Sequence, residues 1–295
     1  NAISAFLERS DSETALWVKN NVTFPGTMVD RIVPATTRQD RDKTALRLRV
    51  NDAACVKTEP FNQWIIENDF AGPVPNWEGV GAMLVEDVSP YELAKLRLLN
   101  GPHSAIAYLG SLGGHEFVHQ AMAEPGLARF ITELMEDEIA PMVSAVAGFD
   151  LTSYASSLTD RFANPALRHR LAQVATDGSQ KLPQRILPVL QERLAQNLPA
   201  RRLMIVTAAW MAYMTGWGYR CAKPAVNDPM AERINGLVDT VGDASTLVRK
   251  LLGIKEIFGD EFQNNENLCA ELAAILETLT SDGLCKIVGE GMNDS

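Results

Sequence analysis

Cysteine is scarce in this 295-residue chain, and Cys55, Cys221, Cys269 and Cys285 lie far apart with no CxxC pair. That spacing excludes a zinc knuckle and a dense disulfide framework, so reduced thiols in a cytoplasmic setting are the expectation. A long apolar run is also lacking. The most hydrophobic stretch, Leu203 to Trp217, carries Thr207, Thr215 and Gly216 and is shorter than the roughly 20 residues that cross a bilayer. A buried helix is expected there, with no membrane partner. Basic residues are outnumbered, 27 Lys and Arg against 37 Asp and Glu, for a net charge of −10. This balance argues against nonspecific nucleic-acid binding, which draws on clustered cations. Nor is there a dinucleotide fingerprint: Gly79-Val-Gly81 and Gly289-Glu-Gly291 lack the third glycine and the flanking strand and helix. Asn1 is no initiator Met and heads no apolar leader, while Ala2, Ile3, Phe6 and Leu7 already follow helical spacing. The expectation is a segment from within a larger protein.

With 46% hydrophobic and 22% charged residues, the chain can bury one large core or two modest ones. Residues 1 to 20 read as one or two helices, broken near Ser10-Asp-Ser12. Residues 21 to 34, punctuated by Pro25, Gly26 and Pro34, read as a loop with short extended pieces. Ala53 to Glu59 and Gln63 to Glu67 are the strand candidates, and Gly72-Pro-Val-Pro75 marks a turn and a boundary. Helical patterns then dominate: 90 to 112, 115 to 123, 126 to 139, 150 to 162, 166 to 175, 183 to 197, 201 to 216, 228 to 239, 244 to 252 and 264 to 281. The expected fold is therefore mainly α: a multi-helical domain over residues 88–295, preceded by a small α/β segment over residues 1–87.

The stretch Tyr91-Glu-Leu-Ala-Lys95-Leu-Arg-Leu-Leu-Asn100-Gly-Pro-His103 sets an ammonium, an amide and an imidazole within nine residues. On an ideal helix at about 100° per residue, Lys95, His103 and Asn100 fall at roughly 0°, 80° and 140°, one side of the rod. Such groups grip a carbonyl oxygen and hand it a proton. Because Pro breaks a continuing helix but suits a first turn, two helices meeting at Asn100 are predicted, near 90 to 99 and 102 to 112. The structural alternative makes Lys95 a solvated surface residue, Asn100 a helix cap and His103 a satisfied histidine.

His115-Glu116-Phe117-Val118-His119 matches H-E-x-x-H, which on a helix turns two histidines toward one zinc and leaves the glutamate to activate water. Glu133, Glu136 or Glu138 would be the third ligand of such a metallopeptidase site. Chance also produces this short pattern. A basic cluster, Arg161, Arg168, Arg170, Lys181 and Arg185, would either pair with helix-end carboxylates or contact an anionic substrate group.

Five ordered stretches resemble the mannitol dehydrogenase family, the polyol-specific long-chain dehydrogenases. They are Asn21-Val-Thr-Phe-Pro-Gly-Thr-Met-Val-Asp-Arg-Ile-Val-Pro34, Lys95-Leu-Arg-Leu-Leu-Asn-Gly-Pro-His103, Tyr108-Leu-Gly-Ser-Leu-Gly-Gly114, Arg161-Phe-Ala-Asn-Pro165 and Asp177-Gly-Ser-Gln-Lys-Leu-Pro-Gln-Arg185. The likeness runs from about residue 17 to 260 and is strongest toward members that act on sugar acids. It implies an enzyme with an N-terminal Rossmann domain for NAD and a C-terminal helical domain carrying most catalytic groups. This chain would be the latter, with a remnant of the junction at its start, and inactive by itself. The family's catalytic lysine, asparagine and histidine fall on Lys95, Asn100 and His103, and its neighbouring glutamate on Glu92. A further family asparagine would precede Asn1. The implied reaction interconverts D-fructuronate and D-mannonate, with members acting on mannitol or arabinitol as the alternative. Lys181 and Arg185, then Arg31, are the candidate carboxylate ligands, and Asp30 the candidate for substrate hydroxyls. The family mechanism needs no metal and gives His115 and His119 no role.

Overall fold

The computed structural model describes residues 2–145, 148–217, 225–238 and 241–281. They fall into two compact units, Asn1–Ile32 with Glu59–Leu93, and Val33–Thr58 with Ala94–Ser295. Cys221, Cys285 and the Gly289-Glu-Gly291 stretch lie outside the described residues, and Cys55 and Cys269 are free thiols.

The first unit opens with helices α1 (Ala2–Ser10) and α2 (Ser12–Asn21), separated by Asp11, whose carboxylate accepts the Glu13 and Thr14 N–H groups and caps α2. A three-stranded sheet follows in the order β1 (Thr27–Asp30), β2 (Gln63–Glu67), β3 (Ala82–Val85). β1 and β2 are antiparallel with Met28 opposite Ile65, and β2 and β3 parallel with Ile65 opposite Met83. Met28, Ile65, Ile66 and Ala82 are the buried apolar side chains of these strands. β2 has the limits read from the sequence. The other strand candidate, Ala53 to Glu59, is turn and loop: its β-branched residues have no neighbouring strand, so propensity alone does not hold them extended.

The second unit begins with α3 (Arg38–Leu48), capped reciprocally by Thr37 and Asp40. Its remaining helices are α4 (Ser89–Lys95, begun in the first unit), α5 (Gly101–Leu112), α6 (Val118–Met122), α7 (Pro125–Glu133), α8 (Leu151–Ala163), α9 (Leu171–Ala175), α10 (Gly178–Arg185), α11 (Leu187–Ala195), α12 (Arg201–Thr215), α13 (Ala231–Val238), α14 (Ala244–Leu252), α15 (Lys255–Phe258) and α16 (Glu266–Ser281). The predicted buried helix over 201 to 216 is the centre of this unit. Every residue of α12 from Leu203 to Thr215 is buried, and α5 and α16 pack against it. The N-terminus of α12 is closed by Glu138, whose two carboxylate oxygens accept the Arg202 and Leu203 N–H groups at 2.9 Å each.

Gly101-Pro102 does not divide two helices, as the sequence suggested. Residues Leu96–Asn100 form a π-helical turn between α4 and α5, in which the Gly101 N–H bonds to the Leu96 carbonyl. Proline has no N–H for the carbonyl four residues back and its ring clashes with it. Widening the turn just before Pro102 moves that carbonyl aside and lets the rod continue. The same device recurs at Leu134–Ile139, where the Ala140 N–H bonds to the Met135 carbonyl just ahead of Pro141.

Candidate active site

The π turn changes the geometry read from the sequence. One surplus residue sets back everything after it by about 100°, so His103, expected about 80° round from Lys95, comes nearly into line with it. Lys95 is half-buried at the end of α4, and Asn100 is half-buried in the π turn. Asn100 makes no side-chain cap to α5; its carbonyl accepts the Ser104 hydroxyl at 3.1 Å.

His103 is buried. Its ring stacks on Phe162 of α8, centroids 5.1 Å apart at 30°, and meets His169 edge-on at 4.9 Å and 73°. Burial first, then His169, Arg185, Arg161 and Lys181, hold its pKa well below the ordinary value. At neutral pH the imidazole is therefore uncharged, with one nitrogen donating and one accepting.

The two predicted carboxylate ligands lie on α10. Lys181 donates to the Val174 carbonyl at 3.3 Å, and its pKa is lowered by burial and then by Arg185. Arg185 donates to the Ser104 hydroxyl at 3.1 Å, next in sequence to His103. Two glycines let α10 lie this close. A Cβ on Gly101 would stand 3.1 Å from the Arg185 carbonyl oxygen, and one on Gly178 would stand 2.8 Å from Trp210 Nε1 and 2.9 Å from the Tyr108 hydroxyl. Asp228 ties down the start of α10 by accepting the Ser179 N–H at 2.7 Å and the Ser179 hydroxyl at 2.6 Å.

The structure thus gathers His103, Lys181 and Arg185 into one environment and adds two members. Arg161 is a buried cation of α8, and the sequence places it only in a basic cluster. His169 is absent from the predicted set. Its Nδ1 is buried with no hydrogen-bond partner among the described residues, and burial, then Lys181, lowers its pKa to about 4. The one available signal is its place between two arginines in Arg168-His169-Arg170, ahead of α9.

Glu92, Asp30 and Arg31 belong to the first unit. Glu92 is exposed on α4, and Asp30 is fully buried at the end of β1. The Arg31 guanidinium is committed to the Glu59 carbonyl, through Nε at 3.1 Å and Nη2 at 3.0 Å.

The zinc reading fails on geometry. The five residues His115 to His119 do not form a helix, because α6 begins only at Val118, so the two histidines share no helical face. Glu116 pairs with Arg170, Glu133 with Arg202, and Glu138 caps α12. Among the described residues no three His, Cys, Asp or Glu side chains are placed to hold a metal ion.

Known proteins resemble this chain in sequence and in fold. Residues 87–280 match the model of the mannitol dehydrogenase C-terminal domain, and residues 2–79 match that of the mannitol dehydrogenase Rossmann domain. The chain is 40% identical over 282 residues to the D-mannonate oxidoreductase of Escherichia coli K12, covering 96% of this chain and 58% of that protein. It is 35% identical over 294 residues to a mannitol 2-dehydrogenase of Aspergillus fumigatus, covering 99% of this chain and 58% of that protein. The solved ternary complex of Pseudomonas fluorescens mannitol 2-dehydrogenase with NAD and D-mannitol superposes with a TM-score of 0.88 at 35% identity, over all of this chain and 59% of that one. The chain therefore spans somewhat under three fifths of the length of these relatives.

Proposed function

This chain belongs to the mannitol dehydrogenase family, and we propose that it forms the substrate-binding part of an oxidoreductase that interconverts D-fructuronate and D-mannonate. The observation that carries the choice of a sugar acid is the trio of cations, Arg161, Lys181 and Arg185, around a buried, uncharged His103. A substrate carboxylate draws a charge-assisted contact from Lys181 and Arg185, both partly desolvated on α10, whereas a neutral polyol carries no charge for them to meet. The 40% identity to a D-mannonate oxidoreductase supports the same choice.

In this reading residues 88–295 are the substrate domain of a cytoplasmic enzyme. Lys95 gives the proton that the carbonyl oxygen at C5 takes up as it becomes an alkoxide, and removes it in the reverse direction. Asn100 and neutral His103 donate hydrogen bonds to that oxygen, stabilising the charge that grows on it. Glu92, three residues before Lys95, relays the proton to solvent. Lys181 and Arg185 hold the carboxylate and fix which end of the sugar faces Lys95. Asp30, fully buried at the end of β1, is given no part in this site. Arg31, already engaged by Glu59, is left out of the carboxylate site.

NAD is the redox partner expected of the family, and Gly79 and Gly81 do not form its pyrophosphate cradle. Gly79 and Gly81 flank a short turn that leads into β3, not the strand-to-helix turn whose N–H groups cradle a pyrophosphate. The roles above are confined to substrate and proton.

The test uses the full-length protein and NADH absorbance. D-fructuronate is expected to be turned over at a kcat/KM at least tenfold above that for D-fructose. Lys181→Ala is expected to raise KM for the sugar acid by tenfold or more, the value of one charge-assisted contact. Preference for the uncharged sugar overturns the reading in favour of a mannitol or arabinitol dehydrogenase.

A further inference from the structure

The short segment before α9 has two faces. Phe117 pairs with Arg170 in an isolated antiparallel β-bridge, and the Val118 N–H donates to the His169 carbonyl at 2.9 Å. His169 turns its ring to His103, while Arg168 and Arg170 lay their guanidinium groups over the Phe117 ring, 4.9 Å and 5.2 Å from its centroid. On the arginine side lies a cavity of about 420 Å³, bounded by the start of α3 and by this segment.

Five cationic side chains, Arg38, Lys43, Lys57, Arg168 and Arg170, line the cavity against a single carboxylate, Asp40. Lys57 stands 3.7 Å from Asp40, Arg38 lies 4.0 Å from Asp42 and Arg170 pairs with Glu116, so two positive charges remain in excess. That concentration is the reverse of the chain's net charge of −10. The cations are also preorganised. Stacking on Phe117 fixes both arginines against the wall, and Arg168 is held in the left-handed backbone region at φ 47°, which a non-glycine residue seldom adopts. Gln173 accepts the Ala35 N–H at 3.2 Å, which leaves its NH₂ group as a further donor at the rim. The first turn of α3 adds the positive end of an eleven-residue helix.

We propose that this cavity is a binding site for a compact polyanion of two or more negative charges, the chemistry shared by phosphate esters and polycarboxylates. The volume admits an anion the size of pyrophosphate or citrate, and paired guanidinium forks suit either group. The site stands on its own residues and does not depend on the reaction assigned above.

The experiment is calorimetric titration of the full-length protein with inorganic pyrophosphate and, separately, citrate at low ionic strength. One equivalent of anion is expected to bind, with affinity falling several-fold between about 50 and 200 mM salt. Lys43→Glu and the fully exposed Arg38→Glu are each expected to weaken it at least tenfold without moving the thermal midpoint. Arg38→Glu guards against misfolding, because that side chain is exposed and its pairing with Asp42 is a surface contact. Binding of only one of the two anions supports the proposal and identifies the group. Absence of binding up to about 10 mM, insensitivity to both substitutions, or displacement of the anion by NADH at one equivalent would each overturn it.

Discussion

At the scale of single residues, charge and solvation decide what each group can do. Lys95 is the one candidate acid of the trio on its helix, since Asn100 has no proton to give and His103 is kept uncharged by burial and surrounding cations. In the full-length protein, Lys95→Ala is expected to lower kcat by about 10²- to 10⁴-fold with a much smaller change in KM, as for loss of a general acid. Asn100→Ala, which on the proposed mechanism removes one donor to the developing oxyanion, is expected to cost about 10²-fold. A KM effect alone in either variant, measured by steady-state kinetics, would move that residue from chemistry to binding. Lys95, Asn100 and His103 stand out as candidates in the sequence because their spacing is short and local. His169 carried only the faint signal of its two flanking arginines, because its place beside His103 depends on a β-bridge between segments about fifty residues apart.

At the scale of elements, helices that bury an apolar face were readable by their period. α14 has the limits that its pattern predicts, and α12 falls within one residue of its prediction. α3 went unseen because it buries none of its residues, so no apolar stripe marks it, and its capping pair, Thr37 and Asp40, stands alone as a signal. The π turn at Leu96–Asn100 was misread for a physical reason too: a proline is taken to end a helix unless a neighbouring turn widens to absorb it. Gly101 is where this widening meets the packing of α10. Gly101→Ala gains about 1 kcal/mol of helix propensity, but its Cβ would sit 3.1 Å from a backbone carbonyl that has little room to retreat. Overpacking of this kind costs about 1–3 kcal/mol. The expected result is a lower urea midpoint together with reduced activity, since Arg185 moves with α10. An unchanged midpoint would show that α10 slides freely over α5.

At the scale of the whole molecule, buried imidazoles couple stability to acidity. His103 and His169 titrate below their ordinary pKa in the folded chain, whereas the unfolded chain takes up these protons near pH 6.5. Between those values the unfolded state binds more protons, so stability is full above about pH 6.5 and declines as pH falls toward 4. For His169 alone this amounts to about 2–3 kcal/mol by pH 4. Carboxylates held low by hydrogen bonds, such as Asp40 and Asp150, add their own loss only at lower pH, so the two windows are separable. Thermal midpoints measured across this range should fall steadily for the wild type and less steeply for His169→Gln. A flat profile between pH 6.5 and 4 would mean that neither ring is buried uncharged.

Leu203 to Thr215 has no face toward water on any side. Amide protons there cannot be reached by fraying or by the opening of a neighbouring loop, and they trade with deuterium only when the molecule as a whole comes apart. Exchange along this one rod is therefore an internal gauge: it reads the full free energy of folding, and a bound sugar acid would slow it by the measure of its own affinity.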